Sequence, residues 1–281
     1  MKTKTNVEML KSIKQYNKTD REVKAKKEGF ESSARFILFL ENQISLGFGD
    51  MEYLKPNLAL GNPPAKATTK KPKITVAYRP VIHVVDVIDK SGSMAGGKDS
   101  AAVKGINMGV EMLKKDTAEV DYTYTLCDFS DTIIFRNSMV SLDEAKPLKT
   151  GTRGSTSLYD AIGDSIQKIR GSKGENDKVL VNVYTDGQEN SSSRYNAKEI
   201  SQLIEELSSQ GWTFTFIGTV GDVQYAQRNL KFHDSNTLTH DNTAESMSRG
   251  MQVNSVARSA YSTKVAAGED ASQGFYKNIE K

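Results

Sequence analysis

The 281-residue sequence contains few of the side chains that bind soft metals or form covalent cross-links. It has one cysteine, three histidines and one tryptophan. Cys127 alone cannot form a disulfide within the chain, which favours a reducing compartment. One thiol and three scattered imidazoles also argue against a structural zinc site. Any bound metal would therefore be a hard cation held by oxygen atoms.

Long hydrophobic runs are missing as well. No window holds the roughly 18 consecutive apolar residues that a membrane-spanning helix needs. The N-terminus, MKTKTNVEMLKSIKQYNK, has lysines but lacks the apolar stretch of a secretory signal. We therefore expect a cytoplasmic protein without a membrane partner, and a virion-associated protein of a phage-infected cell fits the same features.

The net charge of +3 hides an uneven distribution along the chain. Residues 1–80 carry a net charge of +8, and residues 81–281 carry −5. A basic N-terminal segment can contact nucleic acid or an acidic partner. A solvated, lysine-rich helical extension is the simpler interpretation, so nucleic-acid contact remains the less favoured alternative.

Composition and periodicity divide the chain into four segments. We predict a basic helical extension over 1–60, a linker over 61–74, an α/β domain over 75–265 and a flexible tail over 266–281. After the linker, β-branched apolar runs alternate with helical patterns, which predicts a doubly wound, mostly parallel sheet with one antiparallel edge strand. The predicted strands are 82–88, 122–126, 132–135, 179–184, 213–217 and 236–239. The predicted helices are 98–115, 158–169, 197–208, 223–230 and 243–263.

Oxygen-bearing side chains follow the predicted strands. Asp89, Ser91 and Ser93 come directly after the first strand, and Asp186 comes after strand 179–184. Thr156 lies just before the helix at 158. Because the carboxyl ends of parallel strands meet at one edge of a sheet, we expect these side chains to converge. Hydroxyls with few carboxylates and room for water suit the octahedral coordination of Mg²⁺.

The same loop also resembles a nucleotide-binding P-loop. Gly92, Gly97 and Lys98 match the pattern Gly-x-x-x-x-Gly-Lys, but Asp99 stands where that motif has Ser or Thr. A carboxylate at this position would repel the phosphates. A nucleotide-binding protein using Gly92–Lys98 is therefore kept as an alternative.

Three separated segments resemble the hallmark segments of von Willebrand factor A (vWA) domains, over about residues 75–265. They are VVDVIDKSGSM, GSTSLYDAI and VLVNVYTDGQEN. The resemblance implies an intact metal-ion-dependent adhesion site (MIDAS). It implies Ser91 and Ser93 as direct ligands, Thr156 as a direct or water-mediated ligand, and Asp89 and Asp186 as residues acting largely through water.

The resemblance also implies a function. In the family, an Asp or Glu carboxylate of a partner protein completes the coordination of Mg²⁺, and Mn²⁺ or Ca²⁺ would suit the same oxygen donors. The implied partner is an AAA+ ATPase or an assembly component, and the C-terminal helix near 243–263 is expected to shift with ligation. No nucleophile stands beside a base near these loops, so we expect a binding module and not an enzyme.

Two further interpretations stay open. Ser91, Ser93 and Thr156 could serve only as turn and helix-cap residues, which such residues commonly do. The protein could then be a structural assembly protein, such as one of a phage particle, that docks through residues 1–60.

Overall fold

The computed structural model describes residues 6–14, 24, 37 and 79–277. The chain divides into two units, Met1–Thr75 and Val76–Lys281. In the first unit, helix α1 spans Asn6–Lys14 and its Met9 and Ile13 side chains are buried. Most of the predicted extension and all of the predicted linker lie outside the described residues.

The second unit is built on a six-stranded sheet. Its strands lie in the order β3-β2-β1-β4-β5-β6, with β3 antiparallel to β2 and all other neighbours parallel. This confirms the predicted mostly parallel sheet with one antiparallel edge strand. The strands are β1 Val81–Asp89, β2 Asp121–Phe129, β3 Ile133–Val140, β4 Lys178–Tyr184, β5 Trp212–Gly218 and β6 Thr237–Thr239.

Helices cover both faces of this sheet. They are α2 Lys98–Lys114, α3 Leu158–Arg170, α4 Ala197–Ser209, α5 Val220–Asn229 and α6 Ala244–Ala266. Alternate residues of β1 enter two separate hydrophobic clusters, because successive side chains of a strand point to opposite faces. Ile82 and Val84 join the cluster that contains residues of α2 and α6. Val85 and Val87 join the cluster that contains residues of α3, α4 and α5. Burial on both faces explains the nearly continuous apolar sequence of β1.

The order of the strands reverses beside β1. The chain runs outward from β1 to β2 and β3, then returns to place β4 on the other side of β1. Loops leaving two such strands diverge and leave a crevice at their carboxyl ends. Asp89 is the last residue of β1, and Asp186 follows β4 by two residues. The topology therefore brings the two loops of the predicted metal site together.

The two edge strands are irregular or short. The pairing of β3 with β2 shifts register twice, at Tyr124/Leu126 and at Leu126/Cys127. Met139 of β3 has a φ of 50°, in the left-handed region that a non-glycine residue seldom adopts. At the opposite edge, β6 has only three residues. Both edges therefore present little regular backbone.

The C-terminal segment differs from the flexible tail that we expected over 266–281. Ala271, Phe275 and Tyr276 are buried, and Tyr276 donates its hydroxyl to Asn254 Oδ1 at 2.7 Å. The Phe275 N–H donates to Asn236 Oδ1 at 3.0 Å. The expectation rested on small and polar residues, whereas two adjacent aromatic side chains anchor the segment. Residues 278–281 lie outside the described part of the chain.

Candidate metal centre

Asp89 is a buried carboxylate at the end of β1. Its Oδ1 accepts a hydrogen bond from the Ser91 N–H at 2.6 Å, and its Oδ2 accepts one from Thr185 Oγ1 at 2.6 Å. Burial raises the pKa of Asp89 to about 6, although these hydrogen bonds oppose the shift. Within residues 79–277, no cationic side chain forms an ion pair with this carboxylate. Asp89 is thus held in place by neutral donors, with its charge uncompensated.

The hydroxyls of Ser91 and Ser93, in the loop after β1, form a hydrogen-bonded chain that ends at Asp186 in the loop after β4. Ser91 Oγ and Ser93 Oγ are 2.9 Å apart, and Ser93 Oγ donates to Asp186 Oδ1 at 2.6 Å. The short 3₁₀ turn Gly92–Met94 places the hydroxyls two residues apart on the same side. These contacts bring the loops after β1 and β4 together through side-chain oxygens.

Gly187 shows that the oxygen atoms surround a common space. A Cβ atom at Gly187 would lie 2.9 Å from Ser93 Oγ, 3.4 Å from Thr156 Oγ1 and 3.6 Å from Asp89 Oδ2. These atoms come from the loop after β1, the loop before α3 and the end of β1. A side chain at position 187 would fill the space between them. Glycine keeps that space open.

Thr156 is fixed by a reciprocal pair of hydrogen bonds to the loop after β4. The Thr156 N–H donates to Asn190 Oδ1 at 2.9 Å, and the Asn190 N–H donates to the Thr156 carbonyl at 3.0 Å. The same loop is held from α3, where the Asp160 carboxylate accepts backbone N–H groups of residues 193–195. Asp160 is an acidic residue in the first turn of α3, and it also holds the loop after β4 in place.

Lys98 makes a contact that the sequence did not reveal. Its ammonium forms an ion pair with Asp186 and donates to Asn242 Oδ1 at 2.6 Å. Asp186 Oδ2 is buried, and within the described residues the Lys98 ammonium is the one cation paired with it. Lys98 thereby neutralises one carboxylate of the site, while Asp89 keeps its charge.

The P-loop interpretation meets a geometric obstacle. Helix α2 begins at Lys98, after Gly97 in a left-handed conformation with φ of 95°. Lys98 forms an ion pair with Asp186. Asp99 forms an ion pair with Lys90 and accepts a hydrogen bond from the Gly151 N–H at 2.6 Å. The lysine that would contact phosphates in a P-loop therefore faces a carboxylate instead.

The donor set fits a small, hard cation. Two carboxylates and three hydroxyls supply oxygen donors only, which are the ligands that hard divalent cations prefer. In the part of the chain that the structure describes, no group of three or more His, Cys, Asp or Glu side chains could hold a metal. The candidate site differs from such clusters because neutral hydroxyls provide most of its donors.

Comparisons with known proteins support the fold. No family model matches the sequence, and no curated protein matches it. The D319A mutant of the PilB minor pilin from Streptococcus sanguinis is 12% identical with a TM-score of 0.50, over 69% of this chain and 64% of that one. This likeness and the sheet order support a vWA-type α/β fold.

Two further solved structures have lower TM-scores of 0.48. A von Willebrand factor type A protein from Catenulispora acidiphila is 13% identical, over 66% of this chain and 43% of that one. Proximal thread matrix protein 1 from the mussel byssus, with zinc in its MIDAS motif, is 16% identical, over 64% of this chain and 46% of that one. The chain spans less than two thirds of each of the three structures. Separately, no helix within the described residues is long and apolar enough to cross a membrane.

Proposed function

We propose that the protein is a divalent-metal-dependent protein–protein interaction module. Asp89, Ser91, Ser93, Thr156 and Asp186 would hold Mg²⁺, and an Asp or Glu side chain of a partner protein would complete the coordination. The observation that carries the proposal is the convergence of Ser93 Oγ, Thr156 Oγ1 and Asp89 Oδ2 within 3.6 Å of one point beside Gly187.

Charge explains why such a site would attract a carboxylate. Asp89 and Asp186 contribute two negative charges, and the Lys98 ammonium offsets one of them. A divalent cation would leave the site with a net charge of +1, because hydroxyl ligands are neutral. A single carboxylate from outside then balances the charge in a partly desolvated setting. The metal supplies the attraction for the carboxylate, and this chain's residues supply its position.

Each residue has a distinct task in this proposal. Asp89 fixes the Ser91 backbone, and Asp186 orients the Ser93 hydroxyl through its hydrogen bond. Thr185, which the sequence did not single out, orients Asp89 through its hydroxyl. Its adjacency to Asp186 in the segment YTDG was the only available signal. Positioning by such outer hydrogen bonds is the usual way a protein tunes a metal site.

The proposed function is non-catalytic. His83, the histidine on β1, is buried between Thr123 Oγ1 at 2.7 Å and Asp177 Oδ2 at 3.0 Å. Both ring nitrogens are thus engaged in the core of the domain. This arrangement supports a structural role for the histidine nearest in sequence to the metal loops.

Two measurements with matched variants test the proposal. We expect Mg²⁺ to raise the Tm of the wild type and of Asp143→Asn, an exposed control, but not that of Asp186→Ala. We also expect wild-type protein to retain a partner from lysate in Mg²⁺ and to release it in EDTA. A partner held equally by wild type and Asp186→Ala, with or without EDTA, would contradict the metal-dependent function.

A deletion of residues 1–60 distinguishes the metal-dependent function from the alternative of a structural assembly protein. If residues 1–60 carry the docking, their removal abolishes partner retention while Asp186→Ala leaves it intact. Under our proposal the two changes have the opposite effects.

A further inference from the structure

A basic cavity lies beside the candidate metal site. Its volume is about 450 Å³, and its lining includes the charged residues Lys90, Asp128, Arg136, Lys146, Lys149 and Arg153. Five of these six side chains are cationic. The cavity belongs to the loop before α3, to β3 and to the ends of β1 and β2, and nothing in the proposed metal coordination uses it.

Internal ion pairs leave the cavity with an excess of positive charge. The buried Asp128 carboxylate holds both Arg136 and Arg153, and Lys90 pairs with Asp99. With five cations against these two acids, the net charge is +3. Lys146 and Lys149 are exposed and form no ion pair within the described residues. Two lysines are thus free to meet an incoming anion.

The two arginines are already positioned for recognition. Asp128 orients both guanidinium groups, while the Arg136 and Arg153 side chains remain 45% and 31% exposed. A guanidinium that is fixed in advance loses less conformational entropy on binding, and its planar donors match a carboxylate. The cavity therefore has both free charge and fixed donors.

Backbone contacts join the cavity to the metal site. Lys90 stands between Asp89 and Ser91, and the Arg153 N–H donates to the Lys90 carbonyl at 2.7 Å. Arg153 also precedes Thr156 by three residues, which an extended chain covers in at most about 11 Å. A partner segment with one side chain at the metal would therefore reach the cavity within a few residues.

We infer that the cavity binds a second acidic side chain of the partner segment whose first carboxylate binds at the metal site. The inference rests on the proposed function and names its partner more closely: a segment with two acidic residues a few positions apart. A cavity of this size suits one or two side chains better than an extended polyanion. The second contact raises affinity because it is formed within an existing complex.

Two blocked, glycine- and serine-based peptides test this inference against the full chain. One carries a single glutamate, and the other carries two glutamates separated by two residues. Binding is followed by chemical-shift changes of backbone amides, with Gly151 and Arg153 reporting on the cavity and Ser93 and Gly187 on the metal site. In Mg²⁺ we expect the two-glutamate peptide to bind about tenfold more tightly, with changes at both groups of amides.

Matched variants assign the gain to the cavity. Lys146→Gln/Lys149→Gln should remove the advantage of the second glutamate, while Lys104→Gln/Lys115→Gln, which removes the same charge from exposed positions of α2 and its end, should keep it. All four lysines are exposed, so loss of folding is not expected.

The outcomes separate the two proposals. If Mg²⁺ is required but both peptides bind equally, the cavity inference is overturned and the proposed function stands. If EDTA changes nothing while Lys146→Gln/Lys149→Gln weakens the two-glutamate peptide, the cavity is an acid-binding site and the metal-dependent function falls. Inorganic phosphate that shifts the Gly151 and Arg153 amides where the two-glutamate peptide does not would also overturn the inference.

Discussion

Two buried aspartates on β1, three residues apart, have opposite surroundings. Asp86 forms an ion pair with Arg258 of α6 and accepts further hydrogen bonds from Tyr124, Asn182 and Tyr184. Asp89 accepts hydrogen bonds from a backbone N–H and a hydroxyl but has no cationic partner in the described part of the chain.

The difference separates a residue that stabilises the fold from a residue that can bind a cation. Burial alone would lower the pKa of Arg258, yet the Asp86 carboxylate beside it raises that pKa above its ordinary value. Burial raises the pKa of Asp89 to about 6 because no cation offsets the desolvation. A bound divalent cation would give Asp89 the neighbouring positive charge that Arg258 gives Asp86.

The Asp86–Arg258 ion pair also ties α6 to β1. Helix α6 is the C-terminal helix for which the vWA resemblance implies a shift with ligation. Arg258 donates to Tyr184 OH at 2.5 Å, and Asn254 of the same helix donates to that hydroxyl at 2.8 Å. A shift of α6 along its axis would separate Arg258 from Asp86 in the core. The shift of α6 with ligation stays a prediction, and it would have to break this buried pair or move both partners together.

The largest expected effect comes from removing the internal cation. Arg258→Met should lower the free energy of unfolding by about 3–5 kcal/mol, because Asp86 is left as a buried charge without a partner. Denaturant unfolding in EDTA measures this. Arg249→Met, an exposed position on the same helix, is the control and should stay within about 0.5 kcal/mol of wild type. Equal effects of the two variants would contradict the comparison.

Removing the carboxylate charge of Asp89 should stabilise the metal-free protein. Because burial raises the pKa of Asp89 from 3.8 to about 6, the native state binds more protons than the unfolded state between these values. The free energy of unfolding therefore falls as pH rises through this window. At pH 7 in EDTA we expect Asp89→Asn to exceed wild type by up to about 3 kcal/mol.

The pH dependence provides the control for this prediction. Well below pH 3.8 the Asp89 carboxyl is protonated in both the folded and the unfolded state, so wild type and Asp89→Asn should unfold at the same denaturant concentration. A variant less stable than wild type at pH 7 in EDTA would show that the carboxylate is not an uncompensated charge.

Lys98 should act as a competitor of the metal. Its ammonium neutralises Asp186, and a divalent ion must share or displace that contact. We expect Lys98→Met to raise Mg²⁺ affinity about tenfold, or about 1.4 kcal/mol, by titration calorimetry. Lys104→Met, on the exposed side of the same helix, should leave the affinity unchanged. Weaker Mg²⁺ binding by Lys98→Met would show that the ammonium organises the site.

The smallest expected effect concerns Asp160. Burial favours a raised pKa, but the N–H groups of residues 193–195 outweigh it and lower the pKa below 3.8. Asp160 therefore contributes stability that is present above pH 3.8 and is lost as pH falls through its folded pKa. We expect Asp160→Asn to cost about 1 kcal/mol at pH 7, and the difference from wild type to vanish in acid. A cost independent of pH would contradict this.

Local patterns predicted the sheet and the strand ends that carry Asp89 and Asp186. Apolar β-branched runs bounded by small and polar residues fix where strands stop, and parallel strands place those ends together. The spacing of Ser91 and Ser93 is equally local, since both lie in one turn. Such features depend on residues within a few positions of each other.

Contacts between distant segments could not be predicted. Arg258 meets Asp86 across 172 positions, and Lys98 reaches Asp186 only because α2 starts beside the loop after β4. The cations of the basic cavity come from three separate segments, so no window of sequence shows them as a group. In each case the three-dimensional arrangement of the helices and loops determines the contact.

The irregular edges of the sheet have a consequence for how copies of this protein meet other chains. A long, flat edge strand offers its free backbone groups to any exposed strand and invites polymerisation. Here the register shifts and Met139 distort β3, and three-residue β6 offers almost no backbone to extend. Within the described residues, this sheet therefore offers crowded copies a poor template for strand exchange along either edge.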